Sequence, residues 1–121
     1  MHVEAIDHLV LTVRDIEKTC AFYLKVLAMK VIAFGKQKIN LHQYGNGLSS
    51  KAWTTTPGSA DLCLHPSLPM QEIIARLKAY DIEPLEGPVQ RTGAKGPILS
   101  VYFRDSGHNL VEVSNPVGKS G

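Results

Sequence analysis

The chain has 121 residues, of which 44% are hydrophobic and 20% charged, and 13 basic against 11 acidic side chains give a formal charge of +2. That size suits one compact domain or two very small modules sharing a core. The charges are spread along the chain, with no run that would mark a nucleic-acid or membrane surface, so the expected partner is a small or anionic molecule. Cys20 and Cys63 lie far apart in apolar settings and read as reduced core thiols, which points to a cytoplasmic protein. The opening MHVEAIDH has no basic start before an apolar core, and no apolar run nears the roughly 18 residues of a membrane span. Neither an export signal nor a membrane-embedded segment is expected.

In chain order, IDHLVLTV alternates so that His8, Val10 and Thr12 share one face and Leu9, Leu11 and Val13 the other, the pattern of a half-buried strand. DIEKTCAFYLKVL then spaces Ile16, Cys20, Tyr23 and Leu27 at helical intervals behind Asp15, a good N-cap. MKVIAFG and QKINLHQYG follow as two strand-like runs. A polar, Gly- and Pro-marked linker over 45–58 then divides the chain. Beyond it come a strand at SADLCLH and a helix at PMQEIIARLKAY. This helix has Met70, Ile73, Ile74 and Leu77 as its stripe, Ser67 as a cap and Pro69 in its first turn. Strands near 83–90, 98–104 and 109–114 complete the second half. Strand, helix, strands thus occurs twice, as a repeat of pattern more than of residues. Glu112 stands in the middle of an apolar strand, where an unpartnered charge would cost several kcal/mol.

DHLVLTV, FYLKVLAMKV and YFRDSGHNLVEVSN together resemble the marker segments of the vicinal oxygen chelate superfamily, which includes glyoxalase I, fosfomycin-resistance enzymes, extradiol dioxygenases and bleomycin-binding proteins. NLHQYG with EGPVQRTGAKGPILSVYFRD is similar to its glyoxalase domain-containing protein 5 subgroup, which has small bacterial virulence-associated members. The resemblance implies an α+β fold of two paired βαβββ modules, about 5–46 and 59–115, forming a curved sheet cup. It also implies a divalent metal in that cup (Ni²⁺, Zn²⁺, Mn²⁺ or Fe²⁺) and a homodimer. One departure is visible: MKVIAFGKQKINLHQYG is hardly long enough for more than two strands, so the first module is one strand short.

The resemblance places metal ligands on His8 and Glu112. A third falls on Asn40 or His42 by a two-residue register choice, with His42 the better donor chemically. A fourth falls on Asp61, which stands where the family usually has His; Asp61 after Gly58 equally suits a strand-edge turn. His8, His42, Asp61 and Glu112 would leave room for water or substrate oxygens, as catalytic sites do. Glu112 would serve as ligand and, when displaced, as base. By similarity to the fosfomycin enzymes Ser100 and Tyr102 line the substrate pocket, and Arg91 and Lys95 lie on a basic loop suited to grip an anion or close as a lid. His108 belongs to a polar turn with Asp105 and Gly107. The implied function is a metal-dependent, lactoylglutathione lyase-like enzyme that detoxifies a small 2-oxoaldehyde such as methylglyoxal, or its glutathione adduct. Fosfomycin-type epoxide opening and a metal-free, bleomycin-like binding module stand as alternatives.

Overall fold

The computed structural model describes residues 1–29, 32–45 and 51–117. Its elements run β1 (His8–Val13), α1 (Ile16–Leu27), β2 (Ala33–Phe34), β3 (Gln37–Gln43), β4 (Asp61–Leu64), α2 (Met70–Ala79), β5 (Glu86–Gly93), β6 (Gly96–Arg104) and β7 (Leu110–Pro116). They fall into two units, Met1–Ala60 with Asp105–His108, and Asp61–Arg104 with Asn109–Gly121. The fold is mixed α+β, with one three-stranded and one four-stranded sheet, as the paired-module expectation requires.

In the first unit Asp15 is extended and caps α1 by accepting from the Lys18 N–H at 3.0 Å. The helix ends at Ala28, which takes the left-handed conformation at φ 54°. The buried stripe is turned from the expected one: Thr19, Tyr23 and Val26 are buried, whereas Ile16, Cys20 and Leu27 are only half-buried. Thr19 tolerates burial because its hydroxyl donates to the Asp15 carbonyl at 2.9 Å. β1 runs parallel to β3 in a register from His8 opposite Lys38 to Val13 opposite Gln43. β2 meets β3 antiparallel at two pairs, Ala33 with Lys38 and Phe34 with Gln37. Among the described residues only these two strands follow α1, as the short segment predicts. The run MKVIAFG includes Lys30 and Val31, and the linker includes 46–50; these positions lie outside the described residues.

The same unit holds a buried polar pair. Tyr23 is 0% exposed and its hydroxyl donates to Asp105 Oδ2 at 2.6 Å. Asp105 also opens the turn expected around His108: its Oδ1 accepts from the Gly107 N–H at 2.9 Å and its carbonyl from the His108 N–H at 3.0 Å. Burial, reinforced by the Asp105 charge and hydrogen bond, pushes the Tyr23 phenol far above its ordinary value.

In the second unit the strand order is β4-β7-β6-β5, with β4 parallel to β7 and the other pairs antiparallel. Met70, Ile73 and Leu77 are buried on α2, and Leu62, Val101, Phe103, Val111 and Val113 are buried on the sheet. The cap of α2 is Pro69, not Ser67. No side chain caps it, and the Glu72 and Ile73 N–H groups donate to the Pro69 carbonyl instead. Proline's fixed φ suits a helix start, which leaves Ser67 outside. The expected basic loop at 91–96 is a hairpin: Arg91, Thr92 and Gly93 pair with Ile98, Pro97 and Gly96, leaving Ala94 and Lys95 as a two-residue turn. Ladder pairing up to Gly93 and the positive φ of Gly96 replace the lid with a tight connection. Gly87 sits at φ +106°, and a Cβ there would stand 2.4 Å from the Ser100 carbonyl oxygen.

Two outcomes follow from these contacts. Gly87→Ala should lower unfolding free energy by about 2–4 kcal/mol, seen as a lower urea midpoint at unchanged slope. Tyr23→Phe should cost about 1.5–3 kcal/mol near neutral pH, since it removes a buried hydrogen bond to a carboxylate. Folded Tyr23 holds its proton above the ordinary value of 10.0. The stabilisation is therefore complete below that pH and is lost above it, where only the unfolded chain ionises. Denaturation of native and Tyr23→Phe chains across pH 7 to 11 should show their difference shrinking at the alkaline end.

Candidate functional site

The parallel pairing of β4 with β7 builds the polar face of the second sheet. Cys63 stands opposite Glu112, and across β7 Glu112 stands opposite Tyr102 on β6. Strand alternation turns these three side chains away from the buried Leu62, Val111, Val113, Val101 and Phe103. The partner that the Glu112 carboxylate required lies in this sheet: the Ser100 hydroxyl, itself fully buried, donates to Glu112 Oε2 at 2.6 Å. That short charge-assisted bond fixes one carboxylate oxygen. Burial first, and then the Glu112 charge, raise the Tyr102 phenol, while the Arg91 hydrogen bond lowers it.

Cys63 is exposed, contrary to its expectation as a core thiol, because it is on the polar side of a four-residue strand whose apolar side is Leu62 and Leu64. Its Sγ lies 3.4 Å from Ser114 Oγ, and Ser114 Oγ lies 3.0 Å from His65 Nδ1. Burial is the largest cause raising the Cys63 thiol; the Ser114 hydrogen bond lowers it, and Glu112 and Asp61 raise it again. Its apolar neighbours suggest a core thiol, whereas strand alternation, which sets Asp61, Cys63 and His65 on one face of SADLCLH, is the signal for its exposure. Asp61 is exposed on that face, two positions along the ladder from Cys63 and opposite Leu110.

Of the two basic residues expected to hold an anion, Arg91 is already engaged. Its Nε donates to Tyr102 Oη at 3.2 Å and one terminal nitrogen to Glu86 Oε2 at 2.9 Å, with the guanidinium 5.7 Å from the Tyr102 ring centre. Lys95 is at the exposed hairpin tip.

In the first unit His8 Nδ1 lies 2.8 Å from Asp7 Oδ2, and this hydrogen bond is the first cause holding the Asp7 carboxyl below its ordinary value. A carboxylate on Nδ1 is how ligating histidines are commonly oriented, with Nε2 left outward. On the β1–β3 ladder His8 pairs with Lys38, Val10 with Asn40, and Thr12 with His42. His42 is thus four positions from His8, about 13 Å at 3.3 Å per residue, and Asn40 is two positions nearer. The ladder does not bring His8 and His42 together.

The second unit offers a metal the carboxylates of Asp61 and Glu112, while the first offers His8. Among the described residues no three His, Cys, Asp or Glu side chains gather to hold an ion.

Residues 5–65 match the model of the Glyoxalase/Bleomycin resistance protein/Dioxygenase superfamily. Virulence protein STM3117 of Salmonella typhimurium is 46% identical over 126 residues, covering 97% of this chain and 88% of that protein. The chain belongs to this superfamily. The crystal structure of STM3117 superposes with a TM-score of 0.93 over 97% of this chain and 100% of that one. Glyoxalase domain-containing protein RDO1 of Mycosarcoma maydis is 43% identical, covering 95% of this chain and 70% of that protein. The structure of an integron cassette protein of V. cholerae has 45% identity and a TM-score of 0.93, covering 97% of this chain and 98% of that one. Among the described residues no helix is long and apolar enough to cross a membrane.

The Cys63–Glu112 contact has a measurable sign. Removing the carboxylate charge in Glu112→Gln favours the thiolate, so the pH midpoint of Cys63 alkylation by iodoacetamide should move down. It should stay above the ordinary thiol value of 9.0, because burial persists.

Proposed function

We propose that this superfamily member is a glyoxalase-type lyase or isomerase acting on a small 2-oxoaldehyde or its glutathione adduct, with Glu112 as the group that moves the proton. The observation that carries this reading is the placement of Glu112 between Cys63 and Tyr102 with Ser100 donating to it at 2.6 Å. Isomerising such a substrate means taking a proton from one carbon and returning it to the next. That asks for one carboxylate within reach of both and for donors near the substrate oxygens. Ser100 orients the base. Tyr102 Oη, steadied by Arg91, is the donor beside it. A bound divalent metal would add Lewis-acid polarisation of the substrate oxygens. The His8–Asp7 pair and the Asp61 carboxylate support that metal-assisted form within their own units, and no step above depends on it. The reading also takes the protein as a cytoplasmic homodimer that detoxifies reactive aldehydes, which the family resemblance supports.

A metal-free small-molecule-binding module is the second reading, favoured by an exposed Asp61 where the family usually has His and by the two-residue β2 of the first unit. A fosfomycin-type reaction has less support, because Arg91 is engaged with Glu86 and Tyr102. Turnover decides among them. The purified chain should convert methylglyoxal with glutathione, and Glu112→Gln should lower kcat/KM by about 10²–10⁴-fold with little change in stability. Full activity in Glu112→Gln would remove Glu112 as base. Assay after chelation and after return of Ni²⁺, Zn²⁺, Mn²⁺ or Fe²⁺ separates the metal-dependent form from the metal-free one.

A further inference from the structure

Tyr23 and Asp105 are buried ionisable side chains that the proposed reaction does not use, and in sequence the linker lies between them. They nevertheless belong to one unit. Asp105–His108 groups with Met1–Ala60, while Arg104 before it and Asn109 after it belong to the second unit. The later half of the chain thus leaves its own sheet at the end of β6, spends one turn in the first unit, and returns to start β7 at Leu110. The turn is held on α1 by the Tyr23 hydroxyl, which donates to Asp105 Oδ2 at 2.6 Å, with the two residues 0% and 4% exposed. Oδ1 of the same carboxylate accepts from the Gly107 N–H at 2.9 Å, so one side chain both shapes the turn and fastens it to the helix. Gly58 also closes on it: a Cβ there would stand 3.0 Å from the Gly107 carbonyl oxygen.

We infer that the Asp105–His108 turn is a clasp that keeps the two halves of the chain joined when the linker is open. The first unit buries a segment that the later half supplies, so the halves part only when Asp105 gives up the Tyr23 hydroxyl. That loss is costly, because it strips a buried carboxylate of a hydrogen bond that water cannot replace until the unit opens. The linker, by contrast, contributes the effective concentration at which the turn meets its seat. All four strands of the second sheet, with Tyr102 and Glu112 among them, lie after the linker, so cutting it divides no ladder of that sheet. The ladders of the first sheet lie wholly before it. What a cut divides is the first unit, whose Asp105–His108 segment stays on the later piece.

The test inserts the recognition site of a sequence-specific protease between Trp53 and Thr54, in the exposed run 51–54 of the full chain. The folded protein is cut, and its two pieces are followed by gel filtration over serial dilution. Gly58 then travels with the later piece, and Tyr23 and Asp105 face each other across the cut. The expected result is co-elution of the two pieces at the volume of the uncut chain. Tyr23→Phe and Asp105→Ala should each raise the concentration at which the cut pieces separate by about ten- to a hundredfold. Far-UV circular dichroism of the uncut variants confirms that they are folded before cutting; if Asp105→Ala is not, Asp105→Asn, which keeps the side chain's size, takes its place. Pieces of the native chain that separate as soon as the linker is cut overturn the inference. So do cut variants that hold together as tightly as the cut native chain, since the halves are then joined by something other than the turn.

Discussion

The parallel pairing of the first strand of each unit with its last is the constraint on which the structure depends. Two parallel strands cannot be joined by a tight turn, so each unit must send its chain out through a helix and bring it back through the remaining strands before the ladder closes. β1 closes on β3 and β4 on β7 in this way. The closure decides which side chains become neighbours. Cys63 and Glu112 are far apart in sequence and meet only because the register of that ladder is what it is. Slipping it by one residue would turn the carboxylate toward Val101 and Phe103 and expose Val113.

Glu112 shows how an awkward residue becomes an asset once register is fixed. An isolated carboxylate inside an apolar strand would be costly, and the cost is met here by a single short bond from a serine that is itself fully buried. The same arrangement orients the group: a carboxylate held by one hydroxyl, with a phenol on one side and a thiol on the other, is fixed by the ladder itself. The first unit has no equivalent on its ladder; its polar residues His8, Asn40 and His42 are spread along the strands, opposite Lys38, Val10 and Thr12.

Much of this was legible in the chain. The Asp15 cap, both helices and the twofold pattern came from residue spacing, because local periodicity and turn chemistry act within a few residues; the short first module came from setting its length against the family's module. The marker segments gave the family. What escaped was set by longer-range contacts. Periodicity chose Cys20 for the α1 stripe, but an unforeseen bond from Thr19 to Asp15 lets a polar residue take the buried side. The stretch around Lys95 looked like a loop because Gly, Lys and Gly suit loops, and the two-residue hairpin depends on a partner strand that spacing does not reveal. Cys63 was taken for a core thiol on composition, although its exposure follows from sheet alternation. Ser100 as the partner of Glu112 required the antiparallel register of β6 and β7, which no local pattern encodes.

The brevity of β2 has a cost of another kind. β3 carries two ladder partners only at its first residues, and among the described residues its outer edge beyond Lys38 is not continued by a strand. The Ile39 N–H still donates to the Ile32 carbonyl at 3.0 Å, and from there on, through Leu41, the edge is the kind of backbone on which a second extended segment can grow, by the same geometry that seeds aggregation. Lys36 and Lys38, exposed where that edge begins, are charges of the kind that discourage such growth.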